Sequence, residues 1–307
     1  MFFSHPNAVR GSILKFIAVI FLVFLAYTIG QFPLLFAVGI ENIESFQNNP
    51  DFELYGINSN VGFLLMILMF ICATLALWAG IKFLHKASFK SIIRPQSNID
   101  YNKIFWAFSF WFMLTIGIEL IMYLLSSDNY QLQFNLAKFL PLLVISILVL
   151  PIQTSFEELF FRGYLMQGIG RGTKSKLAAL LITSIFFGLI HGTNPEVAKY
   201  GLSVMMSYYI SAGLALGIMT IMDDGLELAL GVHAATNIYG ALIVSYEGSA
   251  IQTDSIFKTS EIDPVLMLII SLVAFGVFIF VAFKKYNWDS LKKLTEKVDE
   301  ENIVSMP

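Results

Sequence analysis

Three polar signatures are set in otherwise apolar stretches: Glu157-Glu158-x-x-x-Arg162, Phe187-x-x-x-His191 and His233-x-x-x-Asn237. A carboxylate can take a proton from water, an imidazole can relay it, and an imidazole with a carboxamide can donate hydrogen bonds to a forming oxyanion. Ionisable side chains inside a bilayer are costly unless paired, so residues of this kind mark functional sites. Glu158 and Arg162 are four apart, share a helical face and can pair. Arg stays charged and needs such a carboxylate in a membrane. Glu157, about 100° further round the helix, is left to face another neighbour and suits the part of general base.

His191 closes the apolar run Ile185–Ile190, with Phe187 one turn before it. Taken alone it reads more readily as an interfacial histidine. His233 lies within Leu226–Val244, and Asn237 one turn on shares its face. Interhelical hydrogen bonding is the plain structural account of that pair. The chain holds four histidines and two of them fall here, which favours the functional reading of the set.

These residues need membrane spans to position them. Of the 307 residues 13% are charged, about half the usual share of a soluble domain, so an integral membrane protein is expected. A span takes about 20 apolar residues. About eight are predicted, near 13–40, 61–84, 104–126, 138–160, 176–193, 201–222, 225–246 and 264–283, giving an all-α polytopic helical bundle. The expected organisation is a cytoplasmic segment 1–12, a transmembrane domain 13–286 with its catalytic core at about 138–246, and a cytoplasmic tail 287–307. Pro33 and the absence of a small-residue cleavage site make the first span a retained one. Rise-per-residue arithmetic brings Glu157, His191 and Asn237 to one depth only if the fourth helix continues past Arg162, with Pro141 and Pro151 as candidate bends.

Counting alternate loops puts Arg10, Lys86, Lys90, Arg94, Arg171, Lys174, Lys176 and the five lysines from Lys284 to Lys297 on one side. Lys138, Lys199 and Lys258 fall on the other. The positive-inside rule then places both termini in the cytoplasm, probed least well at the turn Asp223-Asp224, which has no cation of its own. A plasma (inner) membrane is the expected location. Segment 41–60 reads as an acidic, Asn-rich solvated connector. The tail from Trp288 reads as an interfacial helix or a solvated end. Cys72 is a single cysteine, so no intrachain disulfide forms. No nucleic-acid signature is present; the bilayer and a membrane-associated peptide or protein are the expected partners.

Other intramembrane chemistries lack their motifs. There is no His-Glu-x-x-His zinc helix, no Gly-x-Ser-x-Gly elbow and no Gly-x-Gly-Asp sequence. The ordered set Glu-Glu-x-x-x-Arg, Phe-x-x-x-His, His-x-x-x-Asn, extended by Phe161-Arg162-Gly163-Tyr164-Leu165, resembles the CPBP family of CAAX prenyl proteases and bacteriocin-processing proteins. The resemblance covers about residues 138–246. It implies an endopeptidase in which Glu157 and His191 activate a water, His233 and Asn237 stabilise the oxyanion, and Glu158, Arg162 and Phe187 support them. It also leaves a zinc-dependent form open, with Glu157, His191 and His233 as ligands. The metal-free form is favoured, because Glu158 is tied to Arg and Asn is a poor zinc ligand but a good oxyanion donor. Two rivals stand beside the peptidase: a proton-coupled transporter, in which Glu119 could join a relay, and a non-catalytic immunity or scaffold protein on the same fold.

Overall fold

The computed structural model describes residues 2–5 and 7–298; the end of the expected 287–307 tail lies outside the described residues. The polytopic helical bundle is observed. Six helical stretches are long and apolar enough to cross a membrane: 13–38, 59–84, 101–125, 136–173, 202–223 and 264–285. Two shorter helices, 176–190 and 227–242, fall where the fifth and seventh spans are expected.

In chain order the helices are α1 (Ile13–Val38), α2 (Ile43–Asn48), α3 (Ser59–Ala79), α4 (Tyr101–Leu125), α5 (Leu136–Leu148), α6 (Leu150–Glu158), α7 (Met166–Thr173), α8 (Lys176–Ile190), α9 (Pro195–Tyr200), α10 (Leu202–Asp223), α11 (Glu227–Leu242) and α12 (Pro264–Lys285). Several begin on a side chain that takes up otherwise unpaired amide N–H groups. Asn58, Asp100, Asn135, Ser175 and Asp263 do this for α3, α4, α5, α8 and α12. Leu, Ile and Phe point outward from α1, α4 and α12, where Phe21, Phe105 and Phe280 are each exposed. That is the pattern of helices solvated by lipid chains.

Packing between helices uses small residues, which let backbones approach closely. Gly213 of α10 sits against Ser184 of α8, and Gly188 of α8 against Ile210 of α10. Gly231 of α11 lies against the carbonyl oxygen of Ile104 and the methyl of Ala107 on α4. A Cβ at Gly231 would strike that carbonyl, which is backbone and cannot rotate away. Gly231→Ala is therefore expected to destabilise by roughly 1–3 kcal/mol through forced separation of the two helices. Thermal unfolding in detergent checks this, and an unchanged midpoint would contradict the close packing.

The two ends of the bundle differ. At one end Arg94 and Lys103 pair with Asp223, Arg94 also pairs with Glu227, and Lys293 pairs with Asp224. Arg171 donates to the Val9 carbonyl and Lys176 pairs with Glu296. The acidic turn without its own cation thus receives cations from three other segments on the same side. At the other end a three-stranded sheet, β1 (Tyr130–Leu132), β2 (Val244–Tyr246) and β3 (Phe257–Thr259), joins the chain near α4, α11 and α12. β3 is central, antiparallel to β1 and parallel to β2. Hydropathy does not announce such short strands. Segment 41–60 is also more than a solvated connector: it holds α2, and Phe52 is buried against Gly62.

Candidate active site

The fourth expected span does run on past Arg162, as far as Thr173, but in three pieces. The first break falls at Val149, with Pro151 in the opening turn of α6. Proline lacks an N–H and clashes with the preceding turn, so the helix restarts there. Pro141 sits within α5 without breaking it. Between α6 and α7, residues Leu159–Leu165 form a π-helical stretch whose side chains are all buried. Such widened turns recur at functional sites.

This element carries Gln153, Glu157, Glu158 and Arg162 into the bundle. Arg162 Nη1 is 2.8 Å from Glu158 Oε1, both side chains being fully buried. Arg162 Nη2 donates to the Gly213 carbonyl on α10 at 3.2 Å. Its guanidinium lies 4.3 Å from the centre of the Phe187 ring, a cation–π contact. The expected ion pair is present and holds three helical elements together.

From Glu158 a continuous hydrogen-bond chain runs across the site. His233 Nδ1 is 2.7 Å from Glu158 Oε1, and its Nε2 is 3.5 Å from Glu157 Oε2. Glu157 Oε1 accepts from Gln153 Nε2 at 2.5 Å, and Gln153 Oε1 accepts from Asn237 Nδ2 at 2.9 Å. An ionised carboxylate only accepts, which orients every amide in the row: Gln153 turns its nitrogen to Glu157 and its oxygen to Asn237. The same logic puts the Nδ1 proton of His233 toward Glu158. His233 Nε2 thus faces Glu157 Oε2 without a hydrogen bond between them.

His191 caps the end of α8. Its Nδ1 is 2.7 Å from the Phe187 carbonyl, an acceptor, so Nδ1 carries hydrogen and Nε2 has a free lone pair in the neutral ring. The ring is stacked on Tyr209 of α10 at 4.5 Å and lies 4.5 Å from Phe187. Phe187 also meets the His233 ring edge-on at 6.2 Å. It is the common surface on which Arg162 and both histidines rest.

Glu157, His191, His233, Asn237, Phe187 and Gln153 all line one cavity of about 1470 Å³. Glu157 Oε2 is buried and accepts no hydrogen bond from the described residues. The motif residues of three separate spans are thus brought to one place. His233 and Asn237 share a helix face as expected, but each is held by a different partner rather than aimed at one oxygen. Gln153 and Tyr209 were not singled out from sequence. Gln153 had a signal, a carboxamide one turn before Glu157 in an apolar run; Tyr209 had none, since only folding stacks it on His191.

The donor set also bears on zinc. The Nδ1 bond of His233 to Glu158 leaves its Nε2 open and so does not by itself bar a metal. Among the described residues, however, no three His, Cys, Asp or Glu side chains are grouped to hold a metal ion, so Glu157, His191 and His233 as arranged do not fit a zinc site.

Comparison with known proteins covers the same stretch of the chain. A family model described as type II CAAX prenyl endopeptidase Rce1-like matches residues 136–239, the stretch that holds all three motifs. The chain is 31% identical over 234 residues to the uncharacterised protein YyaK of Bacillus subtilis (strain 168), covering 73% of this chain and 75% of that one. No solved structure matches. Three ordered motifs meeting in one cavity of a helical membrane bundle, and a likeness that extends well beyond the motifs, place this chain in the CPBP family, the group of the Rce1-like CAAX-type membrane endopeptidases.

Proposed function

We propose that the protein is an intramembrane endopeptidase that hydrolyses peptide bonds of membrane-associated substrates through a water activated by Glu157 and His191. The observation that carries this reading is the division of labour in the hydrogen-bond chain. Gln153, His233 and Asn237 around Glu157 are each held by a hydrogen-bond partner, while Glu157 Oε2 and His191 Nε2, of residues in the cavity lining, keep acceptor capacity. Glu157 can take one proton of a water while it attacks a scissile carbonyl, with His191 accepting a hydrogen bond from the other. The oxyanion then receives hydrogen bonds from the remaining amide proton of Asn237 and from His233 once the proton taken by Glu157 reaches its Nε2. That proton passes to the leaving amine, which departs neutral, and the second proton of the water is lost when the product acid ionises. Glu158 and Arg162 hold His233 in the tautomer this requires.

Water activation is assigned to the carboxylate without a metal, because the lack of a three-ligand group among the described residues supports that version. The protein is read as residing in the plasma membrane with the basic end, and so both termini, in the cytoplasm; the clustering of Arg94, Arg171, Lys176 and Lys293 at one end supports this. CAAX-type and bacteriocin-like peptides are the substrate classes the family suggests.

The test is proteolysis by purified protein in liposomes, against a prenylated peptide and a library of membrane peptides, with and without chelator. Cleavage is expected and should be indifferent to chelation. Loss on chelation with recovery on zinc would overturn the metal-free assignment. A folded protein that cleaves nothing would return the scaffold reading.

A further inference from the structure

The lining of the active-site cavity bears charge of one sign. Glu119, Asp128, Glu157, Glu196, Glu261 and Asp263 line it, and no lysine or arginine does among the described residues. The three lysines expected at the sheet end lie elsewhere. Lys138 is bound to Glu53 and Asp254, Lys199 is bound to Glu247, and Lys258 stands on β3 outside the lining. Arg162, behind the cavity wall, is spent on Glu158 and the Gly213 carbonyl.

Two of the carboxylates are more than rim charges. Glu196 on α9 is 4% exposed. Its Oε1 accepts from the Ala250 N–H at 2.6 Å and from the Tyr246 hydroxyl at 3.4 Å, while its Oε2 has no hydrogen-bond partner among the described residues. Glu157 Oε2 is in the same condition. Buried acceptors left open in one cavity call for a donor from outside the protein, and a cationic side chain supplies several. Asp128 and Glu261, lining residues next to β1 and β3, are exposed, and neither makes an ion pair among the described residues. Low-dielectric walls concentrate the field of such charges along the passage. A free carboxylate entering here would meet like charge at the rim and again at Glu157.

We propose that the peptide cut at this site carries cationic side chains close to the scissile bond and enters by the acidic rim at the sheet end, away from the basic loops. The assignment rests on the peptidase reading above and narrows its substrate class. It sets a free carboxyl terminus next to the cut as a disfavoured feature, and so favours internal cuts over the CAAX-type class named above.

The experiment uses full-length protein in nanodiscs and matched apolar peptides flanked by Lys, Gln or Glu, each with a free or amidated end. Lys-flanked peptide is expected to show kcat/KM about tenfold or more above the Glu-flanked one, with the ratio shrinking as salt rises. Asp128→Asn and Glu261→Gln together should narrow that ratio. Equal rates for all three, or a preference for Glu flanks or a free carboxylate, would overturn the proposal and leave the peptidase standing. Should nothing be cut, binding of the same labelled peptides to Glu157→Gln protein decides. Lys-selective binding would keep the charge assignment and sink the peptidase; binding without selectivity would sink both.

Discussion

Glu157→Gln is expected to abolish peptide hydrolysis, by about 10³-fold or more, while leaving the protein folded. General-base catalysis is worth roughly 10²–10⁴-fold, and the amide that replaces Oε1 and Oε2 cannot take a proton from water. The substitution is nearly isosteric. Its carbonyl oxygen can still accept from Gln153, and its nitrogen then faces His233 Nε2, which can accept in the neutral ring. No buried group loses its partner, so the unfolding midpoint should stay close to that of the unaltered protein. Gln153→Ala is a useful companion. It frees Glu157 Oε1 and Asn237 Nδ2 at once, and a smaller loss in kcat is expected, since the base remains but its aim does not. Full hydrolysis by Glu157→Gln would remove Glu157 from the mechanism. Loss accompanied by unfolding would make its role structural.

Arg162→Met is expected to cost the fold rather than the chemistry alone. Removing one partner of a buried ion pair leaves the other uncompensated, at roughly 3–5 kcal/mol. Here the abandoned group is Glu158, fully buried, with His233 as its remaining neighbour. The Gly213 carbonyl loses its donor and Phe187 its cation in the same step. A second change, Glu158→Gln, removes the stranded charge and still offers His233 an oxygen. The double variant should therefore recover much of the lost stability without recovering activity, because a neutral amide holds the His233 proton less firmly. Thermal denaturation in detergent and peptide cleavage separate the two effects. A single Arg162→Met variant as stable as the unaltered protein would show that the pair is not holding the bundle.

The polar residues of the site were legible from sequence for a physical reason. In chains this apolar, a Glu, Arg or His within a span has few affordable explanations. The spacing of four in each motif placed Glu158 beside Arg162 and His233 on the face of Asn237 without any tertiary information. Glu119 was noticed for the same reason, and it proves to line the cavity and to take a hydrogen bond from Tyr130. Gln153 escaped because a neutral amide costs less in a membrane and so carries a weaker signal. Tyr209 escaped because an aromatic in a span is ordinary.

Six of the eight expected spans were likewise readable from apolar length. The fourth span shows where that reading stops. Hydropathy detects a long apolar stretch, and Pro151 hints at a bend, but neither reveals the break at Val149 or the π-helical stretch at Leu159–Leu165. Those depend on which backbone groups find partners once α8, α10 and α11 pack around them. The three-stranded sheet depends on it too, since three-residue strands hold together only when helix ends bring them side by side.

By itself, then, the sequence determined the membrane setting, the approximate spans and the chemical types at the site. All three follow from local quantities, the transfer cost of each side chain and its periodicity along a helix. Only the tertiary structure decided that His233 answers to Glu158 while its other nitrogen faces Glu157, that Gln153 joins Asn237 to the carboxylate, and that among the described residues the cavity is lined by six acids and by no lysine or arginine. These are relations between side chains 75 and 84 residues apart, and hydrogen-bond direction and net field exist only once such distances have been closed.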